Sequence, residues 1–451
     1  MNSTDLVAIS TNDSFIKRCQ GLSADFAFSF AQFETADTFF GGADEAERVR
    51  CFILDCTKFT NIHEAAGTIQ VARQVMDRSF IVCVLDSRVK PEDMEMLKKS
   101  GSNLVMLDSE FSTNSKLEFV SSQIIKSAFL PIKPVDFVEN STAQCAFYML
   151  MPKNQKYLRI YKPGQNISAE FIKKFITTPE LYIHRSDVES WSGYIGAFHA
   201  SSKEDSAARA CRGRFLKLQQ AFLDLVLVIS DQTSSSSFGG GKELFENCQK
   251  FTAELLESLA EVKYPWDIIN NSSIGDFGSV ERGTAIAAYA GMLSRAAQIG
   301  NPQKIMLGAL FADIGLILLS PRTTKKVRLD QMQNFNAEEK MEFEKHPIFS
   351  LNQMLSKRLQ LDEDIKDMIL YSHERMDQKG FPSRPGPNKI REDSMIVRLA
   401  QEVDQALMLR MGKERVEFLQ EFESFLDQKI KNIDGYTLAM LFKLRALFKA
   451  A

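Results

Sequence analysis

The chain has 451 residues, 44% hydrophobic and 25% charged, an ordinary globular balance with enough apolar material for more than one core. Its net charge of −3 gives no basis for a general electrostatic hold on nucleic acid or an anionic membrane. Seven cysteines without CxxC spacing argue against a disulfide framework or a structural zinc site and fit a reducing compartment. The opening MNSTDLVAIS lacks a basic stretch followed by a long apolar run, so no signal peptide is expected. The most apolar segment, Ile305 to Leu319, is too short to span a bilayer and carries Asp313. The expectation is a cytoplasmic protein with no membrane span.

Residues 1 to about 130 alternate short apolar runs with helical patterns. Strands are expected at Leu6–Ser10, Ala27–Phe33, Cys51–Cys56, Phe80–Asp86 and Leu104–Asp108, with a helix at Pro91–Ser100 stopped by Gly101. Such alternation predicts a parallel sheet covered on both faces. Pro131 and Pro134 punctuate its exit. A small α/β module is expected next, with strands at Cys145–Met151 and Tyr157–Tyr161, a turn at Pro163–Gly164, a helix near Ser168–Ile176 and the apolar run LYIHR. A long helix is expected from about 206 to 230. The run SSSSFGGG (234–241) predicts a flexible connection. From 242 onward the apolar periodicity is helical, broken near Gly300–Pro302, Ser320–Pro321 and 380–388.

Three fragments of the helical half carry chemistry: LGALFADIGL (307–316), EEKMEFEKHPIFSLNQML (338–355) and YSHERMDQKGFPSRPGPNKI (371–390), the last continuing into IVRLAQEVDQAL (396–407). Their order and spacing over about 280–410 resemble the HD-GYP family, a bacterial branch of the HD superfamily whose members hydrolyse cyclic di-GMP with two or three bound metals. The family signature HHExxDGxGYP reads here as Ser372, His373, Glu374, then Asp377, then Gly380-Phe381-Pro382. Phosphodiester hydrolysis needs a nucleophile at neutral pH and charge neutralisation on the phosphate, and a bridged metal pair supplies both. Imidazole and carboxylate suit iron or manganese.

The resemblance places Asp313 at the HD aspartate, His346 at the next helix's histidine and His373 at the second histidine of the signature. The other positions depart from the pattern. The HD histidine is Ala312, the first signature histidine is Ser372, the late metal aspartate is Gln401, and the early histidine falls at about Arg282. A following family aspartate survives as Asp404, while Leu316 and Met395 stand where the family has a lysine and an arginine. The resemblance therefore implies no cofactor, or at most one weakly bound Fe or Mn ion on Asp313, His346 and His373. Glu374, Asp377, Gly380, Phe381 and Pro382 are the expected ligand-binding loop. Phe381 keeps the ring of the family tyrosine and loses its hydroxyl donor. Read locally instead, each group has an ordinary structural role: Asp313 as a buried acceptor, His346 as a satisfied histidine, and His373 and Asp377 as an i,i+4 pair on one helix.

The N-terminal alternation resembles a response-regulator receiver, with Asp55 in FILDC at the phosphoacceptor position. Receivers hold Mg²⁺ with an acidic pair after the first strand and use a lysine after the fifth. Ser10-Thr11 and Asp108 occupy those places. Asp55 is therefore expected not to be phosphorylated.

The expected architecture is multidomain. A pseudo-receiver α/β domain (1–132) precedes a small α/β module (133–203), a helical connector with its Ser/Gly loop (204–260) and an all-α, degenerate HD-GYP-like domain (261–451). The expected function is cytoplasmic signalling or scaffolding by a pseudoenzyme. Other signalling proteins are its expected partners, with a homodimer and cyclic di-GMP sensing as further options. The alternative is a metal-dependent cyclic di-GMP phosphodiesterase with a reduced site.

Overall fold

The computed structural model describes residues 4–41, 49–125, 128–151, 156–178, 180–197, 203–231, 233, 238–276, 278–410, 415–432 and 435–446. The chain forms two compact units. One comprises 1–126 with 226–242 and 317–324, and the other comprises the remainder.

The first unit is built on five strands: β1 (Leu6–Ile9), β2 (Phe30–Phe33), β3 (Cys51–Asp55), β4 (Phe80–Leu85) and β5 (Leu104–Leu107). All pair in parallel in the order β2-β1-β3-β4-β5, a doubly wound arrangement. Alternate residues along each strand face opposite sides, and here both sides are apolar. Val7, Phe52, Leu54, Cys83 and Val105 share one core with Ala65 and Ile69 of a helix at Ile62–Val75. Leu6, Ile53, Val82, Val84 and Met106 share the other with Phe15 and Leu22 of a helix at Asp13–Phe26. Burial on both faces explains why the strands read as apolar runs rather than alternating ones. Each strand is shorter than expected at one end: β1, β3 and β4 stop one residue early, before Ser10, Cys56 and Asp86, and the ends of β2 and β5 have a visible cause. Ala27 is a left-handed cap of the preceding helix, so β2 starts later, and Asp108 opens a helix (Asp108–Thr113) instead of closing β5.

In the second unit an antiparallel sheet has the order β6-β11-β8-β9, with β6 at Phe129–Ile132, β8 at Phe147–Met151, β9 at Lys156–Tyr161 and β11 at Leu181–His184. A two-stranded ribbon joins β7 (Ser141–Thr142) and β10 (Asn166–Ile167). Strand β6 pairs with β11 residue by residue, so the small module takes in residues placed before 133 by the sequence reading. Leu130, Ile132, Phe147, Tyr161, Leu181 and Ile183 pack under Trp191 and Tyr194.

The helical half runs from a helix at Lys203–Ser230 to one at Leu438–Ala446. The expected flexible Ser/Gly connection is corrected in part. Phe238–Gly241 open a helix that continues to Glu261, while residues 234–237 lie outside the described residues. Within a helix, backbone hydrogen bonding outweighs the entropic preference of consecutive glycines for coil. The central helix, Gly283–Ala297, is buried over most of its length and packs on the helices at Pro302–Phe311 and Glu392–Ala406. Among the described residues no helix is long and apolar enough to cross a membrane.

Candidate functional site

Asp313 follows the helix Pro302–Phe311, in a tight turn. A Cβ on Gly315 would lie 2.2 Å from the His346 carbonyl oxygen and 2.6 Å from the Ser350 nitrogen. Only glycine lets this turn approach the N-terminus of the helix His346–Ser356 so closely. Ser350 joins the two: its hydroxyl accepts from the Gly315 N–H at 2.8 Å and donates to the Ala312 carbonyl at 2.6 Å. Asp313 and His346 are thereby brought together.

His373 lies in the turn after the helix Glu363–Leu370. Its carbonyl accepts from the Phe381 N–H at 3.3 Å, and the Phe381 ring stacks on the imidazole at 4.7 Å between centroids. Glu374, buried, holds the rest of the loop through the backbone N–H groups of Ser383 and Arg384, at 2.5 and 2.8 Å. Arg398 donates to the Glu374 carbonyl at 2.6 Å and stacks over Tyr436. Gly380 closes the loop where a Cβ would sit 2.5 Å from two backbone atoms.

Asp313, His346 and His373 converge. Each imidazole Nε2 is 3.4 Å from Asp313 Oδ1, and the two Nε2 atoms are 2.9 Å apart. His346 Nδ1 is 2.7 Å from the Phe343 carbonyl oxygen. A carbonyl only accepts, so Nδ1 carries a proton, and Nε2 is left to offer a lone pair to a metal or, when protonated, an N–H to Asp313. Gln401 donates from Nε2 to both Asp313 oxygens, at 3.0 and 3.1 Å. Beside them Arg282 and Asp404 form a bidentate ion pair, with Nε 3.1 Å from Oδ2, both side chains about 4–5% exposed. A cavity of about 210 Å³ is shared by these groups and by Leu316 and Phe381.

The expected loop residues divide. Phe381 lines the cavity, whereas Glu374 serves the backbone and Asp377 is bound to Arg375 at 2.9 and 2.6 Å. Residues 371–377 are turn and loop, not helix, so the i,i+4 helical pairing of His373 with Asp377 does not form. Ser372 donates to the Ile369 carbonyl, and Ala312 and Met395 are packed in the core. Sequence reasoning did not anticipate Ser350, Arg398 or the Phe343 carbonyl. Ser350, four residues after His346 and so on the same helix face, was the available signal.

In the first unit Asp55 is 3% exposed. One carboxylate oxygen accepts from Ser10 at 2.5 Å, the other from the Thr57 N–H and hydroxyl at 3.0 and 2.6 Å.

Burial raises the Asp313 carboxyl, but the hydrogen bonds and charge of His373 and His346 outweigh it and hold it well below the usual range. Burial lowers the His373 imidazole, partly opposed by its hydrogen bond to Asp313. Both groups bind protons less readily folded than unfolded, so stability is lost as pH falls. In chelator the melting temperature should hold above about pH 6.5 and decline below it, then decline again below about pH 4. His373→Gln should remove the first decline. A melting temperature that rises on acidification from neutrality would contradict this assignment.

The three donors fit one metal ion. Bonds of about 2.1 Å at ordinary coordination angles put neighbouring ligands roughly 3.0–3.4 Å apart, which matches the 2.9 and 3.4 Å separations here. A second ion finds no comparable donors among the described residues. Gln401 presents N–H groups to the shared carboxylate, and Arg282 is a cation.

Residues 254–435 match the family model described as HD domain. A solved structure described as Bd1817, a HDG"Y"P protein from Bdellovibrio bacteriovorus, is 16% identical, with 71% of this chain and 99% of that chain covered and a TM-score of 0.44. No curated protein matches the chain. The helical region 254–435, which holds Asp313, His346 and His373, is similar to the HD domain family.

Proposed function

We propose that this chain is a non-hydrolytic signalling or scaffold protein, acting through protein contacts on an HD-GYP-like domain that has lost cyclic di-GMP turnover. The observation that carries the reading is the buried Arg282–Asp404 pair beside a single three-donor cluster. Two-metal hydrolysis uses two exchangeable cations to clamp the attacking and leaving oxygens. Here one positive charge belongs to the chain and is already neutralised by Asp404. If a metal binds to Asp313, His346 and His373, it supplies Lewis acidity at one point only. The protein groups hold that point rigid: Phe343 sets the His346 tautomer, Gln401 orients the carboxylate, and Phe381 covers His373.

The cavity of about 210 Å³ is smaller than typical ligand pockets of roughly 300–1,000 Å³, which favours protein contacts over an enclosed cyclic dinucleotide. The first unit supports the same reading. Its strand order is that of receiver-like doubly wound domains, and the Asp55 carboxylate is occupied by Ser10 and Thr57, with no acidic pair at Ser10-Thr11. Docking or dimerisation is its proposed use.

The purified chain, supplied with Mn(II) or Fe(II), should release no product from cyclic di-GMP above a metal-only control in a chromatographic assay. Turnover that disappears in Asp313→Ala would overturn the proposal.

A further inference from the structure

We infer that Arg282 is the fixed replacement for a second metal, so that the cavity takes one exchangeable divalent ion and cannot take two. This deepens the proposed reading and rests on it only for the identity of the site.

The carboxylate that would have to bridge two ions is Asp313. Bridging through the two oxygens turns each of them towards a cation, but the Gln401 amide nitrogen lies 3.0 and 3.1 Å from the two oxygens. The amide orientation follows from chemistry: turned the other way, its carbonyl oxygen would face a carboxylate with no proton between them. An amide N–H has no lone pair to offer a cation. Asp313 therefore keeps Oδ1 available to an ion beside His346 and His373, while the amide, which takes a lone pair on each oxygen, restrains the carboxylate plane.

The remaining acid in the cavity wall is Asp404, and it is spent. Arg282 grips both of its oxygens from the start of the central helix. The guanidinium stays charged at any accessible pH. It is buried, so water screens its repulsion of a nearby cation poorly. One divalent ion next to the two imidazoles already leaves the site one positive charge in excess, because Asp313 and Asp404 carry two negative charges against one on Arg282 and two on the ion. A second divalent ion would leave the buried site with a large uncompensated positive charge.

The test counts ions on the full chain, stripped with chelator and reloaded with Mn(II), by titration calorimetry and by metal analysis after buffer exchange. One Mn per chain is expected, with the paramagnetic resonance of an isolated ion. His346→Ala and His373→Ala should each weaken binding at least about tenfold. Gln401→Asp restores an acidic ligand but leaves Arg282, and should still take one ion. Gln401→Asp with Arg282→His should take two. Two ions on the unmodified chain, or a spin-coupled signal, would overturn the inference, as would no ion at all. A second ion in Gln401→Asp alone would show that Arg282 is not the barrier, and a single ion in the folded double variant would show the same. If the double variant does not fold, the counts on the unmodified chain and on Gln401→Asp still decide. Turnover is scored separately: one ion with turnover defeats the proposed function alone, and two ions without turnover defeat this inference alone.

Discussion

Asp404→Ala is expected to lower the unfolding free energy of the helical unit by about 3–5 kcal/mol, the usual cost of stranding one member of a buried ion pair. Arg282 is about 4% exposed, in the turn that leads into the central helix, so its guanidinium has little access to water where it stands. The carboxyl of Asp404 is itself raised, because burial disfavours its charge more than Arg282 restores it. The pair therefore contributes little net stability over an apolar filling of the same volume, while its disruption is expensive. Replacing both members, Arg282→Met with Asp404→Leu, should recover most of what either single change loses. Urea denaturation of the single and double variants, at constant slope, measures both effects. A single change costing less than about 1 kcal/mol would mean that the guanidinium finds water.

Asp136→Ala should cost a similar amount, about 3–5 kcal/mol, for a related reason. The Asp136 carboxylate is 2% exposed and faces two guanidinium groups of the helix Lys203–Ser230. Arg212 donates to both oxygens, one at 2.9 Å, and Arg209 approaches at 3.6 Å. Arg209 also donates to the Asp136 carbonyl at 2.6 Å. The turn Pro134–Asp136 and the long helix are thus tied by backbone and side chain together. Without the carboxylate, two adjacent cations on one helix repel across a site with little water. Asp136→Asn keeps the shape and two acceptor lone pairs, and should lose less. Trp191 lies in the core of the adjoining sheet, so its near-ultraviolet signal reports the loosening. An alanine variant that melts like the unmodified chain would show that the arginines re-pair.

The doubly wound sheet was legible because its strands are short apolar runs separated by helical patterns, and hydrophobic burial on both faces leaves few alternatives. Only the ends moved, where backbone capping decides: Ala27 takes a left-handed cap and Asp108 enters a helix. The glycine run misled because its coil preference is worth less than continuation of the helix Phe238–Glu261. In the candidate site, Asp313, His346 and His373 were named from spacing and resemblance, and they converge. Asp377 was named on the same ground, but Arg375, two residues away, binds it first.

The chemical groups this protein has available follow from its residue types alone. Ala312, Ser372, Gln401 and Leu316 remove donors and charge whatever the fold does with them. How the remaining groups are partnered depends on the packing of the folded chain. Arg282 and Asp404 are 122 residues apart, and their pairing depends on how two helices cross. Gln401 and Asp313 are 88 residues apart, and one amide rotation decides whether the carboxylate meets a donor or an acceptor. Residue type sets what a side chain can donate, accept or carry as charge. Burial and sub-ångström placement set which of those capacities is used, because water no longer competes for the group and a neighbour must.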